Sequence, residues 1–193
     1  MATVQTKNPS PSYWESRQNL IYYRYVELII KGIASDAHSI IDVGSSNTSC
    51  IEWFDWIPVR YALDLRTPYS SDKVKGIKAD FLKFQPGRKF DIAVCLQVLE
   101  HIPKAGQFAQ KLFQIADSVL ISVPYNWPEG DCKYHVHDPV DSEKLFSWTQ
   151  KKPDYEIIAV EPFVGSNKGK RLIAYYHGGK TPFSQQHARK LLS

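Results

Sequence analysis

Cysteine is scarce in this 193-residue chain, and the three present, Cys50, Cys95 and Cys132, are odd in number and lack metal-ligand spacing. That excludes a disulfide framework and a cysteine zinc site, and points to a reduced, cytoplasmic protein. No apolar run approaches the roughly 20 residues that span a bilayer, so no membrane partner is expected. The opening MATVQTKNPSPS lacks the apolar centre of a secretory signal. Acids are missing from residues 166–193, where Lys168, Lys170, Arg171, Lys180, Arg189 and Lys190 give +6; the whole chain carries +4, so residues 1–165 sum to −2. A body of that charge excludes a general nucleic-acid binder, and no nucleic-acid partner is expected. The basic end is either a solvated tail or an attractor of anions.

Glycine is short where a nucleotide pocket would use it. In SIIDVGSSNTSC, residues 39–50, an apolar run ends in an acid, then a glycine, then small polar residues. A dinucleotide cradle needs three glycines: one for the turn, one for approach to the pyrophosphate, one for helix packing. Only Gly44 remains here, with Ser46 and Thr48 at the later positions. A side chain at Ser46 would crowd a pyrophosphate but not a ligand without phosphates. The plain alternative is a strand, turn and helix of an unrelated α/β protein.

What is present is alternation. Strands are expected at 39–43, 59–64, 75–79, 90–96, 118–123, 155–163 and 171–177. Helical spacing covers 12–34, as one long helix or two short ones, with Ser12 and Glu15 resembling a capping box. Further helices are expected near 48–56, 103–116 and 142–150, the last capped by Asp141. Strands separated by helices imply a parallel sheet with right-handed crossovers. The last two strands are joined through VGSNKGK, short enough for a hairpin, so the final strand should run antiparallel. The fold expected is therefore α/β: a doubly wound, seven-stranded, mostly parallel Rossmann-like sheet ending in an antiparallel hairpin strand. Residues 1–11 form a loose arm, 12–177 the domain and 178–193 a basic tail in this reading.

In such sheets the ligand sits at the carboxyl ends of the strands. Asp64 ends the second strand, 22 positions after Asp42, and a carboxylate there suits a vicinal diol. Asp80 and Phe81 follow the third strand, and an acid beside an aromatic suits an adenine ring. Each acid alone is more often a turn residue or a helix cap; together, at successive strand ends, they favour a nucleoside pocket.

With FDIAVCLQVLEHIP, residues 90–103, the chain resembles the class I S-adenosylmethionine-dependent methyltransferases, of the small-molecule type with a VLEH segment after the fourth strand. The pieces that carry the resemblance are IIDVGSS, ALDLR, KADFLKF and VLEHIP, in that order, over roughly residues 13–177. The resemblance implies S-adenosyl-L-methionine as cofactor. It implies that Asp42, Gly44 and Ser46 shape the turn at the methionine part, and that Asp64 binds the ribose. Asp80 and Phe81 would bracket the adenine, and Leu96 and Gln97 would line the floor near the sulfonium. Arg17 matches a basic residue that meets the cofactor carboxylate in some relatives; it is equally an exposed helix residue.

The same resemblance bears on the acceptor. Methyltransferases acting on planar amino groups often carry Asn or Asp, then Pro-Pro and an aromatic, after the fourth strand. Here that position reads LQVLEH, which argues against DNA-base and glutamine methylation. An alcohol acceptor needs a base. His101 is one candidate, or else a histidine that holds a loop. The segment VPYNWPEGDCKYHVHDPVD supplies Tyr134, His135, His137 and Asp138 in a loop too long for a simple connection. His137 is the second candidate base, and Tyr134, His135 and Asp138 the acceptor contacts. On an extended segment His135 and His137 face one side, and with Asp138 they could hold a divalent metal; the alternative is a lid that bonds to itself, and no metal is assigned. The expected activity is O-methylation of a small molecule or of a sugar or glycan hydroxyl. The other reading is a non-catalytic binding or assembly module on the same fold. Cover for the acceptor would come from Tyr13, Trp14, Tyr22, Tyr23 and Tyr25, from the histidine loop, or from a second subunit in a homodimer.

Overall fold

The computed structural model describes residues 13–179 and 183–192. The expected arm and the Ser12 cap lie outside them. Seven strands form one sheet: β1 (Ser39–Val43), β2 (Val59–Asp64), β3 (Val74–Lys78), β4 (Phe90–Leu96), β5 (Ala116–Pro124), β6 (Tyr155–Val160) and β7 (Lys170–Tyr176). Their order is β3-β2-β1-β4-β5-β7-β6. Every pairing is parallel except those of β7 with β5 and β6. The doubly wound sheet with its antiparallel end is the one expected, and the seven strand assignments agree to within a few residues.

The helices differ more. α1 (Ile21–Ile33) is shorter than its apolar periodicity, and residues 13–19 form turns before it. Its first turn contains no acid and its N-cap side chain makes no bond. The exposed amides of that turn are held instead by Glu161, whose carboxylate accepts from the amides of Ile21 at 2.7 Å and Tyr22 at 3.1 Å. A buried carboxylate at a helix N-terminus satisfies orphan donors and opposes the helix dipole. The helix expected near 48–56 is only a 3-10 turn, Cys50–Trp53. Glu52 there is drawn to Tyr69 and Ser71, and its carbonyl accepts from the Arg60 guanidinium. α2 (Ala105–Ile115) and α3 (Ser142–Thr149) stand as expected, and the Asp141 side chain caps α3 by accepting from the amide of Lys144 at 2.8 Å. Within the basic end, α4 (Gln185–Leu191) lies on α1, where a Cβ at Gly32 would stand 3.2 Å from the Ala188 carbonyl. None of its residues is buried.

Strand alternation divides the core in two. Ile41, Val43, Ala93, Cys95, Val119 and Ile121 face α2 and α3. Ile40, Ile92, Val94, Leu120 and Ile173 face α1 and the aromatic residues around Trp53. β1 is buried along its whole length, as expected of a strand covered on both faces. No helix among the described residues is long and apolar enough to cross a membrane.

Glu161→Ala should destabilise the fold by about 3–5 kcal/mol, because it frees two helix amides and leaves buried Arg171 without its carboxylate. Urea unfolding checks this; a loss under about 1 kcal/mol would remove Glu161 from the role of helix anchor.

Candidate active site at the carboxyl ends of the strands

Order reversal between β1 and β4 opens a crevice at their carboxyl ends, the usual ligand position in such sheets. Four residues with left-handed backbone gather there: Gly44 (φ 83°) and Ser46 (φ 48°) after β1, Gln97 (φ 57°) after β4, Asn126 (φ 52°) after β5. Non-glycine residues in that region carry strain, which concentrates at functional sites. Ser46 thus keeps the backbone of the glycine it lacks. Gly44 is required twice over, by its φ and by Val98, whose Cγ2 would lie 2.5 Å from a Cβ there.

Asp42 is buried beside this turn, under Tyr23 and Cys50 of the α1 face. Burial, reinforced by the neighbouring Asp64 carboxylate, pushes its pKa up to about 7. Asp64 holds the turn: its Oδ2 accepts from the amide of Ser46 at 3.1 Å, and its Oδ1 from those of Arg66 (2.7 Å) and Thr67 (3.0 Å). A carboxylate has about four lone-pair sites. Three are engaged, so one further strong bond can be accepted without sharing.

The remaining candidates around this half of the crevice divide. Asp80 accepts from the amide of Leu82 and lies 3.7 Å from Lys83. Leu96 is half-buried on the α1 face, and Gln97 donates from its amide to the Ser122 carbonyl and from its side chain to the Ser122 hydroxyl. Phe81 requires correction. Its ring is 4% exposed and packs against Phe108 of α2 at 4.5 Å, so it belongs to the core and has no face for an adenine. Arg17 donates to the Tyr13 carbonyl and the Ser16 hydroxyl, and its guanidinium covers the Tyr13 ring at 4.0 Å. It serves its own turn.

The other half of the crevice is built by the segment after β4 and the histidine loop. His101 hydrogen-bonds through Nδ1 to the Tyr134 carbonyl at 2.9 Å. A carbonyl only accepts, so that nitrogen carries the proton and Nε2 keeps the lone pair. Partial burial lowers the His101 pKa below its usual value, with neighbouring His135 pushing the same way and the Tyr134 carbonyl pulling back. His135 pairs through Nδ1 with Asp138 Oδ2 at 2.6 Å; the two side chains are 6% and 2% exposed. Its ring stacks on Trp127 and stands edge-on to His101, centroids 4.7 Å apart. Glu100 is wholly buried, and neither carboxylate oxygen has a hydrogen-bond partner among the described residues. Burial raises its pKa to about 8; Asp138 adds to this, while its own amide and Arg171 oppose it.

His137 is the second correction. Its Nε2 donates to the Ile102 carbonyl at 2.8 Å and its ring leans on Trp148. It does not share a side with His135, because the loop is not extended. The amide of His135 turns back to the Cys132 carbonyl, and that of Val136 bonds the Glu100 carbonyl. Tyr134 is exposed, with Lys133 over its ring.

Three residues were not singled out from the sequence. Glu100 lay inside a quoted motif as its one acid among apolar residues. Arg171 and Glu161 stand 3.8 Å apart, and Arg171 also covers Tyr22 and Trp127. A charged residue abutting an alternating apolar strand was the available signal for both.

No family model and no curated protein matches the sequence. Solved structures do match the fold. The N-methyltransferase NodS from Bradyrhizobium japonicum WM9, in complex with S-adenosyl-L-homocysteine, aligns at TM-score 0.60 and 14% identity over 84% of this chain and 89% of its own. Magnesium protoporphyrin IX methyltransferase (ChlM) from Synechocystis PCC 6803, with bound S-adenosylmethionine, aligns at 0.58 and 15% over 88% and 86%. The Burkholderia thailandensis 1,6-didemethyltoxoflavin-N1-methyltransferase, with bound 1,6-didemethyltoxoflavin and S-adenosylhomocysteine, aligns at 0.63 and 16% over 82% and 78%. At these identities the likeness is one of fold: the chain has the α/β sheet of class I methyltransferases.

The raised pKa of Asp42 has a measurable consequence. Folded protein keeps a proton on Asp42 that unfolded chain releases from about pH 4 upward. The stability this group contributes is thus complete below pH 4 and lost as pH rises through 7. Asp42→Asn does not titrate, so its stability relative to the parent should climb between pH 4 and 8, by at most about 4 kcal/mol. Thermal melts of both proteins across that range test this; parallel curves would show that Asp42 is not held protonated.

Proposed function

We propose that this protein is an S-adenosylmethionine-dependent methyltransferase that methylates a hydroxyl of a small molecule, sugar or glycan. The fold likeness supports the reaction class, though fold alone does not fix function. The cradle supports the cofactor. Asp42 and Asp64 present two carboxyl groups where a dinucleotide would put its pyrophosphate, and the Asp64 carboxylate repels an anion there. A ligand with a sulfonium and an ammonium relieves the same pair. Bound S-adenosylmethionine supplies an electrophilic methyl group. Asp42 and the Gly44–Ser46 turn would hold its methionine part, and Asp64 would give its free acceptor site to the ribose. Asp80, Leu96 and Gln97 remain the candidates for adenine and floor.

The observation that carries the choice of oxygen is the fixed tautomer of His101. Its Nδ1 is committed to the Tyr134 carbonyl, and its ring is 38% exposed on the crevice side. Nε2 is therefore a neutral base at physiological pH, able to take the proton of an acceptor hydroxyl as its oxygen attacks. A placed base of this kind is worth roughly 10²- to 10⁴-fold. His135, fixed by Asp138, offers a second lone pair beside it. Tyr134, Tyr13 and Trp14 supply ring faces for a sugar or phenol. His137, facing Ile102, positions the loop in this reading.

Asp64→Ala should weaken S-adenosylhomocysteine binding by about tenfold or more, as expected for hydrogen bonds to a charged group worth about 1.5–3 kcal/mol. Titration calorimetry decides, and unchanged affinity would undo the ribose assignment. For the acceptor, labelled S-adenosylmethionine should be incubated with a panel of sugars, phenols and amines. O-methyl products are expected from the parent, with kcat reduced about 10²-fold or more in His101→Ala at nearly constant KM. Methylation of amines alone would refute the oxygen assignment.

A further inference from the structure

Glu100 has no role in the methyl-transfer reading, yet it stands in one cluster with His101 and His135; a cation held by His101 Nε2 would replace the base role proposed above, so the two uses of that nitrogen are alternatives. One ligand-type atom from each residue lies within 4.8 Å of the others, and His101 Nε2 stands 3.9 Å from Glu100 Oε1. Atoms around one ion bound at about 2.0–2.2 Å lie about 3–4.4 Å apart, so side-chain shifts of roughly a few tenths of an ångström complete such a site. We infer that Glu100, His101 and His135 bind a divalent transition cation through one carboxylate and two imidazole nitrogens.

Four observations carry this. First, Glu100 is fully buried with both oxygens unpartnered among the described residues, an arrangement proteins rarely leave uncompensated. A cation accepts both lone pairs. Second, each histidine is already oriented as a ligand. The Nδ1 of His101 is held by the Tyr134 carbonyl and that of His135 by the Asp138 carboxylate, so both Nε2 atoms keep their lone pairs. Metal-bound histidines almost always donate their other N–H to a carbonyl or carboxylate in this way. Third, carboxyl groups outnumber basic ones here: the side chains of Glu100, Asp138 and Glu161 are buried, and Arg171, 3.8 Å from Glu161, is the buried arginine beside them. A cation is the ligand such a lining favours. Fourth, the donor set discriminates. Two imidazoles with one carboxylate suit manganese, iron, cobalt or zinc, whereas magnesium prefers oxygen donors. Three protein ligands leave open positions, the pattern of a catalytic rather than a structural ion.

The ligand set differs from the one the spacing His135-x-His137-Asp138 suggested. His137 faces Ile102, and Asp138 stands behind His135.

The inference does not rest on the methyltransferase reading, since cation binding is read without cofactor or acceptor. Untagged full-length protein is stripped with chelator and titrated calorimetrically with manganese, zinc and magnesium chlorides. One manganese or zinc ion per chain is expected, with magnesium far weaker. His135→Ala and Glu100→Gln should each weaken binding by about tenfold or more, and Asp138→Asn by about 10- to 100-fold through His135. His187→Ala, on α4, should change nothing. The thermal midpoint of the parent should rise with the bound ion and that of His135→Ala should not, which separates a lost ligand from a lost fold. Binding that survives both His135→Ala and Glu100→Gln, or no binding to the parent, overturns the assignment. S-adenosylhomocysteine is titrated into the same stripped protein: cation binding without it would leave this site standing and remove the methyltransferase reading, and the reverse result would do the opposite.

Discussion

Parallel pairing of β1 with β2 on one side and β4 on the other is the constraint from which the crevice follows. Ile41 aligns with Tyr61 and with Ala93, so β1 has its backbone satisfied on both edges and both faces covered. The chain can leave β1 only by turning upward at its carboxyl end. Val98, on the way out of β4, must pass over that turn. Gly44 makes room for it, and no other residue type could. Asp42, one residue short of the strand end, is thereby sealed into a place where its charge is costly. The local strain at Gly44, Ser46 and Gln97 is held in place by this double pairing.

The resulting crevice has two chemically distinct halves. At β1 and β2 two carboxyl groups and a tight turn favour a cationic ligand over a phosphate. At β4, β5 and β7, the buried side chains of Glu100, His135, Asp138 and Arg171 gather beside the more exposed His101, titratable groups that a fold would otherwise avoid burying. Aromatic rings bound both halves: Trp14, Tyr23 and Trp53 contact one another on the α1 side, and Trp127 stacks on His135. Arg171 over Tyr22 and Trp127 ties the halves together. Its partner Glu161 starts α1, so the N-terminal aromatic segment is fixed by a residue close to the far end of the sheet.

Local sequence and tertiary environment compete most visibly at the histidines. Alternation puts His135 and His137 on one side of an extended chain. Two hydrogen bonds, from the amides of His135 and Val136, bend the loop, and the rings diverge. Trp148 and the Ile102 carbonyl then capture His137, while Trp127 and Asp138 capture His135. Phe81 is a similar case. Its place after a strand suggested a ligand-facing ring, but a large apolar side chain beside α2 gains more by joining Phe108 in the core.

Local sequence was enough for the seven strands, their parallel direction up to the final hairpin, and the acids at the strand ends; their order across the sheet came from the fold. Period-two alternation and short connections are local properties, and they leave few arrangements once crossovers must be right-handed. Local sequence determined α3 as well, because Asp141 caps its own helix. Only the tertiary structure decided where α1 begins, since its cap is Glu161, 140 positions away. Only it decided that His135 rather than His137 joins Glu100 and His101, and that Phe81 is core. These outcomes depend on contacts between distant segments. Side-chain direction in a long loop is set by whatever packs against it, and neither spacing nor propensity records that.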